Sequence, residues 1–96
     1  SRRGMIKLLK VTSAQALDGH LLAVEFSDGS RGTEDLADYI AEGGPMVEPL
    51  KDPAFFARVF VSFGVPTWPN GFDLDAIALH ARLEEAGRLV RSVAAE

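Results

Sequence analysis

The chain has 96 residues, of which 47% are hydrophobic and 25% charged, a size and mixture typical of one small globular domain. Its 14 Asp and Glu residues outnumber 10 dispersed Lys and Arg residues, and the net charge of −4 argues against direct nucleic-acid binding and suits a basic protein partner better. The sequence has no cysteine, no apolar run of the roughly 20 residues that a membrane span needs, and no signal-peptide hydrophobic region at its start. We therefore expect a cytoplasmic protein without disulfides, thiolate chemistry or a membrane-spanning helix.

The first third of the chain predicts a three-stranded antiparallel meander. Strand-forming residues run over 6–17 and end at Asp18-Gly19, a strong signal for a two-residue hairpin turn. The second strand alternates apolar residues on one face, namely Leu22, Val24 and Phe26. Asp28-Gly29 repeats the turn chemistry and returns the chain as a short polar strand over 30–33, which we expect at an edge of the sheet.

Two short helices are predicted in the middle of the chain. Asp35 or Thr33 can cap the first helix, and Gly43-Gly44-Pro45 ends it. Asp52 followed by Pro53 is a cap with proline at the first helical position, and it opens a second helix that passes through Phe55, Phe56 and Val59. Adjacent phenylalanines cannot both face one narrow apolar stripe, so we expect one in the core and the other against a second element or a partner.

The stretch around the single tryptophan predicts a fourth strand and the start of the longest helix. Residues 60–68 alternate aromatic and β-branched side chains, with a break expected at Gly64 or Pro66. Trp68 ends this strand and should be largely buried, because it carries a large apolar area. Asn70-Gly71 accepts the positive φ of a turn, and Asp73 or Asp75 can cap the helix that follows. We expect Asp73 to serve the turn and the helix start.

The last helix is predicted to cover the sheet and to stop at Gly87. Its expected apolar stripe consists of Leu74, Ile77, Ala78 and Ala81, with Leu79 and Leu83 beside it. Beyond Gly87, apolar residues recur at helical spacing, and this segment either extends the helix, docks elsewhere or frays. These apolar residues are Leu89, Val90 and Val93.

The predicted elements define an α+β fold. Its antiparallel sheet comprises the three-stranded meander plus one or two later strands, accompanied by two short helices and a longer C-terminal helix. We assign residues 1–5 to a vector-derived remnant or disordered start, residues 6–87 to a single domain and residues 88–96 to a C-terminal tail.

No constellation in the sequence predicts a catalytic residue, a cofactor or a metal site. His20 and His80 lack the spacing of known zinc motifs, and the serines lack the Gly-x-Ser-x-Gly pattern of a nucleophile elbow. Turn and capping roles account for the aspartates. Six aromatic residues with few basic neighbours favour core packing over a stacking platform for bases. They are Phe55, Phe56, Phe60, Phe63, Trp68 and Phe72.

Several short motifs in a fixed order carry a resemblance to a known family. They are Val24-Glu25-Phe26-Ser27-Asp28-Gly29-Ser30, Asp35-Leu36, Pro49-Leu50-Lys51-Asp52-Pro53 with Phe55-Phe56, and Trp68-Pro69-Asn70-Gly71 followed by Asp73-Leu74. Over residues 6–80 the chain thereby resembles the short bacterial proteins called domain of unknown function 2442. The resemblance implies a small α+β fold with an antiparallel sheet. Family members are often encoded beside another small domain of unknown function, which suggests a two-component pair such as toxin and antitoxin.

We therefore expect a non-enzymatic protein-interaction module, antitoxin-like or an accessory member of such a pair. Its partner is expected to be another protein or a second copy, most simply in a two-fold dimer through the tail or an exposed sheet edge. The candidate partner-binding or structural residues are Asp28, Trp68, Asn70 and Asp73. The alternative is a small ligand-binding domain or enzyme, with Asp28, Asp73 and a histidine in a pocket near Trp68. Convergence of those groups would favour the alternative, and their dispersal into turns and caps would favour the module.

Overall fold

The computed structural model of the protein describes residues 9–91 and has the predicted α+β architecture. Strands β1 (Val11–Leu17), β2 (Leu21–Phe26) and β3 (Arg31–Asp35) form an antiparallel sheet in the order β1-β2-β3, which confirms the meander. The predicted start at residues 1–5, the first residues of the first predicted strand and the tail from residue 92 onward lie outside the described residues.

The turn between β1 and β2 is longer than predicted. Leu17 pairs with Leu21, so the connection consists of the three residues Asp18–His20 in a short 3-10 turn, and the expectation of a two-residue Asp18-Gly19 turn was wrong. Gly19 has a φ of 75° and His20 a φ of 64°. Histidine is one of the few residue types enriched at positive φ, which allows it to serve as a third turn residue.

The predicted fourth strand is a separate hairpin. Strands β4 (Phe60–Ser62) and β5 (Val65–Thr67) pair with each other, so the break at Gly64 is confirmed. The two turn residues, Phe63 and Gly64, have φ values of 51° and 76°. Positive φ at both central positions is characteristic of the type I′ turn, whose twist matches that of the two strands.

One of the two short helices begins at its predicted cap, and the other begins one residue beyond Asp35, after Leu36, whose side chain makes no capping hydrogen bond. Helix α1 (Ala37–Glu42) follows Asp35, whose carboxylate accepts a hydrogen bond from the N–H of Ala37 at 2.9 Å, and Gly43 ends the helix. Helix α2 (Pro53–Phe56) follows Asp52, which accepts from the N–H of Ala54 at 3.0 Å. Helix α2 ends before the predicted Val59, and a 3-10 turn over Glu48–Lys51 connects α1 to it.

Helix α3 (Ala76–Glu85) begins at one of its two predicted caps but differs from the prediction in its buried face. The Asp75 carboxylate accepts from the N–H of Ala78 at 2.8 Å and is the cap, whereas Asp73 lies exposed before the helix. The buried residues are Ala76, Leu79 and Leu83, while Ile77 is 59% exposed and Ala78 and Ala81 are exposed. The helix is rotated toward its two leucines, which bury more apolar area than the two alanines of the predicted stripe.

One core lies between the inner face of the sheet and the helices. Phe56 belongs to it and Phe55 is half-buried, as expected for adjacent phenylalanines. The guanidinium of Arg58 lies over the Phe55 ring at 5.9 Å. The buried core residues are Val11, Leu22, Val24, Phe26, Leu36, Ile40, Leu50, Phe56, Trp68, Leu74, Ala76, Leu79 and Leu83.

The first residues of the tail dock on the sheet. After Gly87 the N–H of Arg88 donates to the carbonyl of Leu83, a bond that closes the helix end. Val90 then exchanges two backbone hydrogen bonds with Arg31 at 2.7 and 2.8 Å. A Cβ atom at Gly32 would lie 3.0 Å from the Arg88 carbonyl oxygen, so glycine permits this close approach.

Strands β1, β3 and β5 each make a backbone contact beyond the strand with which they pair. The N–H of Val11 in β1 donates to the carbonyl of Gly64, so the β4-β5 hairpin lies beside β1. The carbonyl of Pro66 in β5 accepts from the N–H of Leu74. The tail covers β3 at Arg31 in the same way.

Candidate functional site

Trp68 lies at the centre of the core. It is 0% exposed, and its indole N–H donates to the carbonyl of Phe56 at 2.9 Å. Its ring stacks on Phe56 with a centroid distance of 5.8 Å and lies 5.6 Å from the ring of Phe72. The predicted burial of Trp68 is confirmed, and its side chain is unavailable to a partner in the folded protein.

Asn70 and Asp73 flank the turn after Trp68. The side-chain amide of Asn70 donates to the carbonyl of Met46 at 2.9 Å and accepts from the N–H of Phe72 at 3.2 Å, so it joins two loops. The backbone of Asp73 forms an isolated antiparallel β-bridge with Thr67. Its exposed carboxylate has no hydrogen bond or ion pair within residues 9–91. The expectation that Asp73 caps the last helix was therefore wrong.

The side chain of Asp28 contacts residues of the β2-β3 turn, of α3 and of the tail, and so forms a polar network between them. One carboxylate oxygen accepts from the N–H and the hydroxyl of Ser30. The other oxygen lies 3.1 Å from Nε2 of His80 and 3.9 Å from the guanidinium of Arg91. Arg91 also binds Glu84 at 2.8 Å. Asp28 and His80 are 52 positions apart in sequence, so tertiary folding alone brings them together.

The environment of Asp28 favours its charged form. Burial by itself raises the pKa of the Asp28 carboxyl, but the two hydrogen bonds from Ser30 and the nearby His80 outweigh burial and hold the pKa below its ordinary value. The ring of His80 is fixed from its other side by edge-to-face contact with Phe26 at 4.9 Å. The network therefore holds a carboxylate and an imidazole in one orientation.

An aspartate paired with a histidine also occurs in acid-base catalysis, where a reactant must reach the imidazole. Ser30 is buried and donates its hydroxyl to Asp28 itself. The three main cavities of the described chain are lined by residues other than Asp28 and His80. Asp73 and Trp68 take no part in the network, so the groups proposed for an enzymatic site near Trp68 are dispersed.

A second charged cluster was not predicted from the sequence. The carboxylate of Glu34 is buried and binds Nε of Arg82 at 2.6 Å. The guanidinium of Arg82 lies over the Tyr39 ring at 5.0 Å. The hydrogen bond from Arg82 to Glu34, together with their opposite charges, raises the pKa of Arg82 above its ordinary value. Burial raises the pKa of the Tyr39 hydroxyl. Glu34 of β3 is therefore a buried charged residue. The alternation of apolar and polar residues in the sequence could not predict its burial.

Within residues 9–91, no group of three or more His, Asp and Glu side chains is arranged to hold a metal ion. In the same range, no helix combines the length and apolar composition that crossing a membrane requires.

The most exposed aromatic residue lies at the tip of the β4-β5 hairpin. Phe63 is 101% exposed, and its neighbours Phe60 and Val61 are 46% and 38% exposed. The prediction that Phe60 and Phe63 pack in the core was wrong, because the type I′ turn directs Phe63 away from the sheet. The backbone of the tip is held in place by the hydrogen bond from Val11 to Gly64 and by the Lys10 side chain, which packs on Gly64. We call Phe60, Val61 and Phe63 the hairpin patch.

A small pocket lies at the opposite end of β1. Its cavity measures about 340 Å³ and is lined by Ala16–His20 on one side and Pro53, Phe56 and Ala57 on the other. The His20 ring packs edge-to-face on Phe56 at 5.1 Å. Nε2 of His20 is buried and has no hydrogen-bond partner within residues 9–91. We call this cavity the α2 pocket.

A shallow groove of about 610 Å³ lies on the outer face of the sheet, away from the core. All three strands line it, and the tail residues Arg88 and Val90 form its wall. Glu25 and Asp35 share this groove with Arg31 and Arg88, so charges of both signs are present. This balance gives the groove no preference for an anionic or a cationic ligand.

The fold and its polar clusters define a small α+β domain whose surface includes the hairpin patch, the α2 pocket and the groove on the outer face of the sheet. The model of the family described as protein of unknown function (DUF2442) matches residues 11–85, and the chain belongs to this family. The resemblance seen in the motifs is thereby confirmed, and the match extends past His80 to the end of α3. Comparison with curated proteins and with solved structures found no significant match.

Proposed function

We propose that this protein is a non-enzymatic protein-interaction module, an antitoxin-like or accessory member of a two-component bacterial pair that acts in the cytoplasm. The observation that carries the proposal is Phe63, a fully exposed aromatic residue in a backbone conformation that disfavours it. A non-glycine residue in the left-handed region costs about 1–2 kcal/mol. Glycine or asparagine would avoid this cost, so a large apolar side chain at this position favours a role in contact.

The surroundings of Phe63 also suit a binding anchor. Aromatic side chains in rigid, well-positioned backbone dominate the energetics of protein interfaces, since little conformational freedom is lost when they bind. The hydrogen bond between Val11 and Gly64 holds the hairpin backbone before any partner arrives. Phe60 and Val61 extend the apolar surface next to the tip. The dispersal of the aspartates and Trp68 into turns, caps and core supports the same proposal.

The proposal is tested by isolating the complexes that a tagged chain forms in its native host. We compare the parent with Phe63→Asn, which removes the anchor and keeps the turn, and with Ile77→Asn, which removes an exposed apolar side chain from α3. We expect one protein to accompany the parent and Ile77→Asn and to be lost with Phe63→Asn. Once that protein is purified, its affinity should fall at least tenfold for Phe63→Asn, equivalent to about 1.4 kcal/mol. A partner retained equally by all three chains would overturn the role of the hairpin.

A further inference from the structure

We propose that the hairpin patch binds a second copy of this chain, with Phe63 of each copy entering the α2 pocket of the other. This inference rests on the proposed function in that Phe63 is the contact residue, and it names a second copy as a further partner, distinct from the other member of the pair, and the surface that receives Phe63. This surface differs from the tail and the sheet edge, which are the sites of self-association expected from the sequence.

The pocket and the side chain match in size and character. A phenyl ring fits a cavity of about 150 Å³, since benzene occupies an engineered cavity of that volume. The α2 pocket measures about 340 Å³, so it holds the ring of Phe63 together with part of its backbone. Aliphatic and aromatic groups of Ala16, Leu17 and Phe56 line it. Asp18 and His20 are also part of the lining, so an entering ring would exchange water for contact with a wall that is partly apolar.

The positions of tip and pocket allow a closed two-fold arrangement. The tip lies beside Val11 and the pocket beside Leu17, at opposite ends of β1, roughly 20 Å apart at about 3.3 Å per strand residue. The chain from α2 to β4 connects the pocket to the tip. In a two-fold arrangement about an axis midway between them, the tip of each copy would meet the pocket of the other. Both copies then have their tip and pocket filled, so association stops at the dimer.

Local charge is complementary between two copies. Lys10 packs beside Gly64 at the tip, whereas Asp18 lines the pocket. Both side chains are exposed, so the exchange brings a cation from one copy toward an anion of the other, twice in each dimer. This local complementarity opposes the repulsion between two chains that each carry a net charge of −4.

The available apolar surface is consistent with a weak dimer. Given that a phenylalanine carries about 150–250 Å² of surface, the exposed parts of Phe63, Phe60, Val61 and Leu17 amount to roughly 400 Å² in each copy. The two copies together would bury roughly 800 Å² of this surface, less than the lower limit of about 1,200 Å² for specific, stable interfaces. We therefore expect association at micromolar concentrations and dissociation on dilution.

Sedimentation velocity of the purified full chain over a range of micromolar concentrations tests the proposal. The parent should be a dimer at tens of micromolar. Phe63→Asn removes the tip, and Ala57→Gln fills the mouth of the pocket from an exposed position, so each variant alone should be monomeric. The matched controls, Ile77→Asn and Ala81→Gln, change exposed positions of α3 and should remain dimeric. Trp68 fluorescence verifies that every variant is folded.

A mixture of the two interface variants tests whether Phe63 of one copy enters the α2 pocket of the other. A mixed pair retains one intact contact, made by Phe63 of the Ala57→Gln copy and the unaltered pocket of the Phe63→Asn copy. The mixture should therefore associate more strongly than either variant alone and more weakly than the parent. A monomeric parent, a dimer that survives both substitutions, an assembly larger than a dimer, or a mixture that associates no better than its components overturns this inference. A host protein that still depends on Phe63 would leave the proposed function standing.

Discussion

Replacing Phe63 by asparagine should stabilise the protein, even though it removes a large apolar side chain. The Phe63 side chain is fully exposed, so its loss forfeits no buried area in the monomer. Its φ of 51° is unfavourable for phenylalanine by about 1–2 kcal/mol, and asparagine tolerates this region better. Asn-Gly is also the preferred sequence of a type I′ turn. We expect a gain of about 1 kcal/mol in the free energy of unfolding, or roughly 4–8 °C in the melting temperature of a domain of this size.

The assay for Phe63→Asn is urea unfolding followed by the fluorescence of Trp68, the single tryptophan of the chain. Measurements are made at the lowest usable protein concentration, so that the loss of any self-association does not mask the gain. Ile77→Asn is the control, because it replaces an equally apolar exposed residue on a helix, where asparagine brings no such gain. A lower urea midpoint for Phe63→Asn with an unchanged slope would show that the Phe63 side chain packs within the monomer, contrary to its exposure.

Three further predictions concern the core, the last helix and the Asp28 network. Trp68→Ala should lower the free energy of unfolding by about 3–5 kcal/mol, because it empties a fully buried site; a loss below about 1 kcal/mol, measured by circular dichroism, would contradict this packing. Asp75→Ala should lower the free energy of unfolding by about 0.5–2 kcal/mol, because Asp75 accepts the capping hydrogen bond, whereas Asp73→Ala should leave it almost unchanged. Equal losses of this free energy in urea unfolding would refute the difference. The lowered pKa of Asp28 stabilises the folded state above the pKa of the unfolded chain, and this contribution disappears as the pH falls below about 5 toward the folded-state pKa. Asp28→Asn should retain the turn and reduce this acid sensitivity, and a melting temperature that falls as steeply with acid as in the parent would exclude Asp28 as its source.

The order of elements and most of the turns could be predicted because they depend on neighbouring residues. Asp28-Gly29, Asp52-Pro53 and Gly87 act through local backbone preferences, and each lies where its chemistry predicts. Two local signals were misjudged. His20 joined the first turn, and Phe63 occupied a turn position that glycine or asparagine normally takes. The pair Phe63-Gly64 preceded by strand residues was the signal for a hairpin, and the apolar character of Phe63 concealed it.

By itself, the sequence determined the class of fold, the family, the burial of Trp68 and the absence of thiol chemistry. All of these follow from composition, alternation and short motifs, which act over a few residues. Tertiary structure decided which face of α3 is buried, that Asp28 meets His80, that Glu34 meets Arg82, and that Phe63 remains outside the core. Those outcomes depend on residues about 50 positions apart and on the competition between larger and smaller side chains for one core. Hydrophobicity is non-directional, so a pattern of apolar residues shows that they can be buried, and only the packed fold shows which of them are.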